Sequence, residues 1–329
     1  MKNQPPAKTT STICQQHIFQ AQKTIQPIVH PTPLQYAPAL SAQTKTAVYL
    51  KLETAHEVGA FKIRGAANKI LNLSDAAKAR GVVTASTGNH GRAVAYVAQK
   101  IGIPAAVCLS ARVPQNKVQA LKQLGAEVVI DGQSQDEAEE RARQLQNKRG
   151  LSMIHPFDDP HVIAGQGTIA LELLQQLPAV ESVLVPLSGG GLIAGIGLAL
   201  KAANPDIRVI GVSMEHAPVM AKSLAAGRPL QMAEEPTLAD SLQGGIGLNN
   251  RYTFAMTQAY VDEVILVSEA EIAAAMAFAF QHHHLVLEGA GAVGIAALQS
   301  HKITRLGQNT ALILSGGNVD LAHFLQIVQ

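Results

Sequence analysis

Lys62 stands in the run Val58-Gly59-Ala60-Phe61-Lys62-Ile63-Arg64-Gly65-Ala66-Ala67. A lysine ammonium is protonated at neutral pH and cannot attack a carbonyl. Desolvation or a neighbouring cation lowers its pKa and opens Schiff-base chemistry. An aromatic residue precedes this lysine, and Gly65, Ala66 and Ala67 are small enough to leave room beside it for a bulky group. The competing reading is a lysine snorkelling from a helix start. A second run, Ser188-Gly189-Gly190-Gly191-Leu192, can aim several backbone N–H groups into one concavity and suits an anion such as phosphate. It lacks the Gly-x-x-x-x-Gly-Lys-Ser/Thr pattern. Its approach to a dinucleotide fingerprint fails because the third glycine, Gly195, comes one residue late, although Glu215 follows near a place for a ribose-binding acid. Taken alone it is a nucleotide site or a tight turn. A third run, Ser86-Thr87-Gly88-Asn89-His90, offers hydroxyls, an amide and backbone N–H groups that suit a carboxylate, with Asn89 able to bond a ring hydroxyl. The same residues could simply cap a helix. Ser315-Gly316-Gly317-Asn318 forms a fourth such run near the end.

Each run lies where an apolar, strand-like segment meets a helix-like one. Strands are expected at 48–53, 82–86, 105–110, 128–131, 182–187, 208–213, 263–268 and 310–315, with helical stretches between them. Such alternation predicts an α/β fold with largely parallel sheets, whose ligands bind beyond the carboxyl ends of the strands. Thr12 is expected to cap a first helix with Gln15 as its partner, and Ile13, Ile18 and Ile25 supply its apolar positions.

In this order the four runs resemble the threonine dehydratase and serine racemase group of pyridoxal-phosphate enzymes, from about His30 to the C-terminus. Four ordered motifs are far more specific than one. A narrower resemblance, to the dehydratase of hydroxyectoine utilisation, rests on 86–96, the Ser-Gly-Gly-Gly-Leu form of the glycine loop, 237–242 and 250–254. The resemblance implies fold type II: two open, twisted, mostly parallel sheets flanked by helices. It implies a large domain of residues 1–50 plus 155–329, an inserted small domain of 51–154, and a cofactor, pyridoxal 5′-phosphate, in the cleft between them. No C-terminal regulatory domain is expected, which fits a catabolic or specialised enzyme.

The same resemblance assigns roles. Lys62 binds the cofactor as a Schiff base and then serves as the α-proton base. Phe61 packs on the ring. Ser188, Gly189, Gly190, Gly191 and Leu192 hold the phosphate, Asn89 and Glu288 lie near the ring, and Ser315 faces the pyridine nitrogen. Ser86, Thr87, Gly88, Asn89 and His90 hold the substrate carboxylate. A neutral hydroxyl beside the ring nitrogen makes the ring a weaker electron sink than an Asp partner does, which favours β-elimination over transamination. The expected reaction is therefore dehydration and deamination of a β-hydroxy amino acid of the threonine or serine type. The alternative is a serine or aspartate racemase with Thr87 as second base. The third reading is not an enzyme of this type but a nucleotide-binding protein that uses residues 188–195.

Departures from the family pattern bear on the substrate. Val58 and Ala60 replace two hydroxyl residues, Ser188 replaces a glycine, and Gly289 replaces a proline. Ser213 and Val219 stand where some relatives place acidic metal ligands, so no metal is expected. His282, His283 and His284 read as a helix end. The 329 residues carry a net charge of +2 with both signs dispersed, which gives no basic surface for nucleic acid or membrane. The N-terminal residues lack the apolar stretch of a signal peptide, and two cysteines make no disulfide framework. The expectation is a cytoplasmic homodimer or higher homo-oligomer acting on a small amino acid.

Overall fold

The structure, a computed structural model, describes residues 13–86, 88–111, 113 and 115–329. The chain opens with α1 (Gln15–Ile25), β1 (Leu34–Tyr36), α2 (Pro38–Thr44), β2 (Ala47–Leu52), α3 (Lys62–Leu71) and α4 (Asp75–Arg80). A middle stretch follows: β3 (Val82–Ala85), α5 (Asn89–Ile101), β4 (Ala105–Leu109), α6 (Gln115–Gln123), β5 (Glu127–Ile130), α7 (Gln135–Arg149) and β6 (Ser152–Met153). Then come α8 (Pro160–Gln176), β7 (Ser182–Pro186), α9 (Gly191–Ala203), β8 (Arg208–Met214), α10 (Val219–Ala226) and α11 (Thr253–Tyr260). The chain closes with β9 (Glu263–Val267), α12 (Glu269–His283), α13 (Gly289–Gln299), β10 (Asn309–Leu314) and α14 (Leu321–Val328).

Two sheets result. One has six strands in the order β1-β2-β10-β7-β8-β9, parallel except for β1, and the other has four parallel strands in the order β5-β4-β3-β6. This is the expected α/β fold. All eight expected strands form, with ends shifted by a residue or so. Two more, β1 and β6, have only three and two residues, too few to display a period of two.

The strands of the larger sheet are apolar on both faces because helices cover both. Along β7, Val183 and Val185 face the core shared with α8 and α9, while Leu184 faces the core shared with α12 and α13. Ala311 and Ile313 of β10 join the first core, Leu312 and Leu314 the second. This is the two-sided burial that makes parallel strands read as continuous apolar runs. In the smaller sheet, Val82, Val107 and Leu109 pack with α3 and α5, and Val83, Ala106 and Cys108 with α7.

The first helix differs from expectation. Its N-cap is Cys14, whose backbone N–H reaches Nδ1 of His17 at 3.1 Å. Thr12, the expected cap, lies outside the described residues. Ile18 and Ile25 are buried as expected. At the histidine tract, His284 ends α12 in the left-handed region at φ 57°. Among the described residues no helix is long and apolar enough to cross a membrane.

Candidate active site

Lys62 is the first residue of α3. The segment leading to it is pinned to the turn that leaves β10. Phe61 N–H donates to the Ser315 carbonyl at 3.0 Å, Gly317 N–H donates to the Gly59 carbonyl at 3.0 Å, and Ala60 forms a bridge with Gly316. Two chemistry-bearing runs far apart in the chain are thereby one structural unit. Lys62 Nζ donates to the Pro156 carbonyl at 2.8 Å and lies 5.2 Å from the centre of the Phe61 ring. Burial lowers its pKa to about 8, against the opposing charge of Glu288. An appreciable fraction of this amine is therefore neutral near physiological pH.

The small residues after Lys62 do not leave room for a ligand. Ala66 and Ala67 are fully buried in the core around α3 and α5. A side chain at Gly65 would strike Gln166 and Val162 of α8, and one at Gly165 would come within 2.7 Å of the Gly65 Cα. The glycines bring two helix backbones together, so the lysine helix is seated directly on α8.

Behind the lysine lies a buried polar cluster that has no signature in sequence. Arg64 is fully buried. Its Nε donates to Glu53 at 2.7 Å and its Nη1 to Glu172 at 2.5 Å. Lys51 Nζ donates to Glu172 at 2.6 Å, and His56 lies 3.1 Å from Glu53. Burial works against ionisation of Glu53, but Arg64 and His56 outweigh it and hold the carboxyl well below the usual range.

The asparagine run connects β3 to α5. Ser86 Oγ accepts from Gly88 N–H at 3.4 Å, and the Ser86 carbonyl occupies the space a side chain at Gly91 would need. Thr87 lies outside the described residues. Asn89 opens α5 and donates through Nδ2 to both oxygens of Glu288, at 2.8 and 3.0 Å. Glu288 is the N-cap of α13, and burial raises its pKa. The Leu238 carbonyl sits where a side chain at Gly289 would begin, a local reason for glycine there. His90 points elsewhere. Its Nε2 bonds the Ile154 carbonyl at 2.9 Å, and burial, with Lys62 nearby, pushes its pKa down to about 3. It is a neutral donor whose side chain is committed to the protein.

The glycine run connects β7 to α9. Gly190 is the N-cap of α9 at φ 85°, in the left-handed region, which favours glycine. Gly189 lies under Phe157, whose ring would be 2.5 Å from any Cβ at that position. Ser188 is part-buried and Leu192 buried. The first N–H groups of α9 have no acceptor inside the helix and so are available to an anion. Asp158, next to Phe157, accepts from the N–H groups of Arg251, Tyr252 and Thr253 at 2.7 to 2.9 Å. Residues 154–158 therefore touch His90, Lys62, the glycine run and the 251–253 segment in turn. Ser315 is buried at the end of β10, with its Oγ 3.4 Å from the Ala290 carbonyl.

This arrangement fits a phosphorylated aldehyde cofactor. It offers a desolvated amine, a helix N-terminus whose first N–H groups have no acceptor inside the helix, an amide beside a buried carboxyl, and a hydroxyl rather than a carboxylate at Ser315. The family of pyridoxal-phosphate dependent enzymes matches residues 25–316, and the chain belongs to it. Its cofactor is pyridoxal 5′-phosphate and its fold is type II. It is 46% identical over 304 residues to an L-threonine ammonia-lyase of Thermotoga maritima, covering 92% of this chain and 75% of that one. Among solved structures, maize serine racemase superposes with a TM-score of 0.90 at 36% identity, covering 95% of this chain and 96% of that one. The processed form of threonine deaminase isoform 2 from Solanum lycopersicum gives a TM-score of 0.89 at 35% identity, covering 98% and 89%.

The sequence singled out the lysine, asparagine, glycine and serine runs. It did not single out Phe157, Asp158 or Asn318. Asn318 stands within a quoted run, but its partners at 58 and 89 are visible only in three dimensions.

Proposed function

We propose that the protein is a carbon–nitrogen lyase that converts a β-hydroxy amino acid of the threonine or serine type into a 2-oxo acid and ammonia. The observation that carries this reading is the desolvated Lys62 amine, with its pKa near 8, held on the Pro156 carbonyl next to Phe157, which lies against the glycine run. When bound, pyridoxal phosphate supplies the carbonyl that takes up the substrate amine and the ring that acidifies the bond to the α-hydrogen. Lys62 would hold that carbonyl carbon through Nζ. The same Nζ, when free, would be the base that accepts the substrate's α-proton. Amides at Ser188, Gly189, Gly190, Gly191 and Leu192 would hold the phosphate, and Phe61 would pack on the ring. Asn89 would stand at the ring oxygen with Glu288 near the ring, and the 86–90 run would orient the substrate carboxylate. Ser315 presents a neutral hydroxyl to the ring nitrogen, which supports elimination over transamination.

We also propose the division into a larger unit, 1–50 plus 155–329, and an inserted one, 51–154, assembled as a homo-oligomer in the cytoplasm. The physiological substrate we propose is a linear hydroxylated intermediate of hydroxyectoine breakdown. The pattern of 237–242 and 250–254 supports this, and the Asp158 bonds tie the second of those segments to the phosphate run.

Borohydride reduction of the yellow protein should fix the cofactor on Lys62, as located by mass mapping. An adduct on another lysine overturns the assignment. Lys62→Ala removes covalent and proton-transfer roles together and should lower turnover by several orders of magnitude. A panel of L-threonine, L-serine and L-aspartate, scored for both 2-oxo acid and D-isomer, separates the lyase from the racemase that would use Thr87 as second base. Rapid L-to-D conversion, lost in Thr87→Ala, would favour the racemase.

A further inference from the structure

We propose that Asn318 is a positioning residue that fixes Asn89 as a hydrogen-bond donor toward the ring oxygen of the cofactor. This rests on the pyridoxal-phosphate reading of the site and names what sets the polarity of its asparagine. An asparagine side chain can present either its NH2 or its carbonyl, and its neighbours decide which. Here the decision starts at Val58, whose backbone carbonyl can only accept. Asn318 Nδ2 donates to it at 2.7 Å. The other proton of that NH2 is directed at Asn89 Oδ1, also at 2.7 Å. The acceptor side of Asn89 is thereby occupied, and its NH2 faces Glu288 at 2.8 and 3.0 Å. The far end agrees with the near end, because an amide NH2 cannot accept and both Glu288 oxygens lie within bonding distance of it as acceptors. The Asn318 backbone N–H adds a bond to Glu288 Oε2 at 3.3 Å.

Geometry at Gly59 permits this arrangement. A Cβ there would stand 2.7 Å from Asn318 Oδ1, so only a glycine lets the amide lie against the backbone next to Val58. Asn318 thus joins the lysine run, the asparagine run and the cap of α13 through one directed chain of donors. What Asn89 has left to offer a ligand is N–H. A donor at a ring oxygen favours its deprotonated form, whereas a carbonyl there would require the oxygen to keep its proton. The amide at 318 therefore acts on the cofactor's protonation state through Asn89.

The test uses wild type, Asn318→Asp and Asn318→Ala, each with and without cofactor. A carboxylate at 318 cannot donate to Val58 or to Asn89. In cofactor-free Asn318→Asp the carboxyl at 318 or that of Glu288 must then take up a proton, visible at neutral pH as an infrared carbonyl band added to the wild-type spectrum. In the loaded variant, Asn89 turns its NH2 toward the new carboxyl group, and the ratio of visible to near-ultraviolet absorbance falls severalfold at fixed cofactor content. Asn318→Ala adds no charge and leaves Asn89 free to turn. The same ratio falls by a smaller factor, and the Asn89 side-chain amide protons of the cofactor-free variant exchange about tenfold faster. Unchanged absorbance ratios in the loaded variants, with no new infrared band and no faster exchange in the unloaded ones, overturn the proposal. If wild type takes no cofactor on Lys62, the functional reading fails instead, and the cofactor-free arms still decide what Asn318 does to Asn89.

Discussion

Lys62 and Glu288 are shifted in opposite directions by one cause, burial, and the charge of Glu288 partly offsets the shift at Lys62. The neutral amine is the form that attacks a carbonyl, so cofactor capture by the unloaded protein should accelerate with rising pH and level off above about 8. Glu288→Gln removes a charge that raises the lysine pKa. The capture profile of that variant should move toward lower pH, as stopped-flow absorbance can follow. A shift toward higher pH would show that Glu288 does not act on the amine through its charge. His90 supplies a second titration. Its pKa falls from the ordinary 6.5 to about 3, so below 6.5 the unfolded chain binds a proton that the folded protein refuses. Stability should fall with falling pH between those values, by up to about 1.4 kcal/mol per pH unit from this group. His90→Gln keeps a donor for the Ile154 carbonyl without titrating, so urea unfolding across that window should show a shallower slope for the variant. At this scale the sequence was legible where a role resides in one run, as for Lys62 with Phe61. It was silent on Asn318, whose roles depend on residues 229 and 260 positions away.

The helix that carries Lys62 is held from behind rather than by its own propensity. Gly65 meets Gly165 at backbone distance, and Arg64 ties α3 both to Glu53, just after β2, and to Glu172 on α8. These are buried charges, and such clusters are sensitive to the loss of one member because the remaining charge has no water to turn to. Arg64→Met should destabilise the protein by about 3 to 5 kcal/mol. Replacing Lys51, Glu53, Arg64 and Glu172 together by apolar residues of similar volume, so that no member is left without its partner, should recover most of that loss. Denaturant unfolding of both variants checks this, and a single variant as stable as wild type would show that the cluster contributes nothing. The sequence hid this network because its members stand up to 121 positions apart and come together only in three dimensions. It likewise made Gly65 look like space for a ligand, since a glycine that opens a pocket and one that admits a neighbouring helix are the same letter.

Across the whole molecule, the alternation of strands and helices was legible because parallel strands buried on both faces are continuous apolar runs. The short β1 and β6 were not, since β6 exists only by pairing two residues with β3. Between the two sheets, the chain passes through residues 154–158, where successive positions face separate parts of the site. The Ile154 carbonyl takes His90, the Pro156 carbonyl takes Lys62, Phe157 covers Gly189, and Asp158 gathers the amides of 251–253. Two of these four contacts use main-chain carbonyls, which every residue type possesses. Identity is therefore constrained at Phe157, at Asp158 and at His155, whose Nδ1 accepts from the N–H groups of both, at 3.3 and 2.9 Å, whereas spacing is constrained throughout. The stretch works as a ruler, indifferent to its lettering at 154 and 156 but not to the distance between its marks. One glycine inserted between His155 and Pro156 should leave far-ultraviolet circular dichroism nearly unchanged, because neither sheet has a strand there. It should weaken cofactor retention at least about tenfold, or about 1.4 kcal/mol, by carrying Lys62 and the phosphate run out of step. Homologous chains and engineered libraries should accordingly vary this segment by substitution and keep its length.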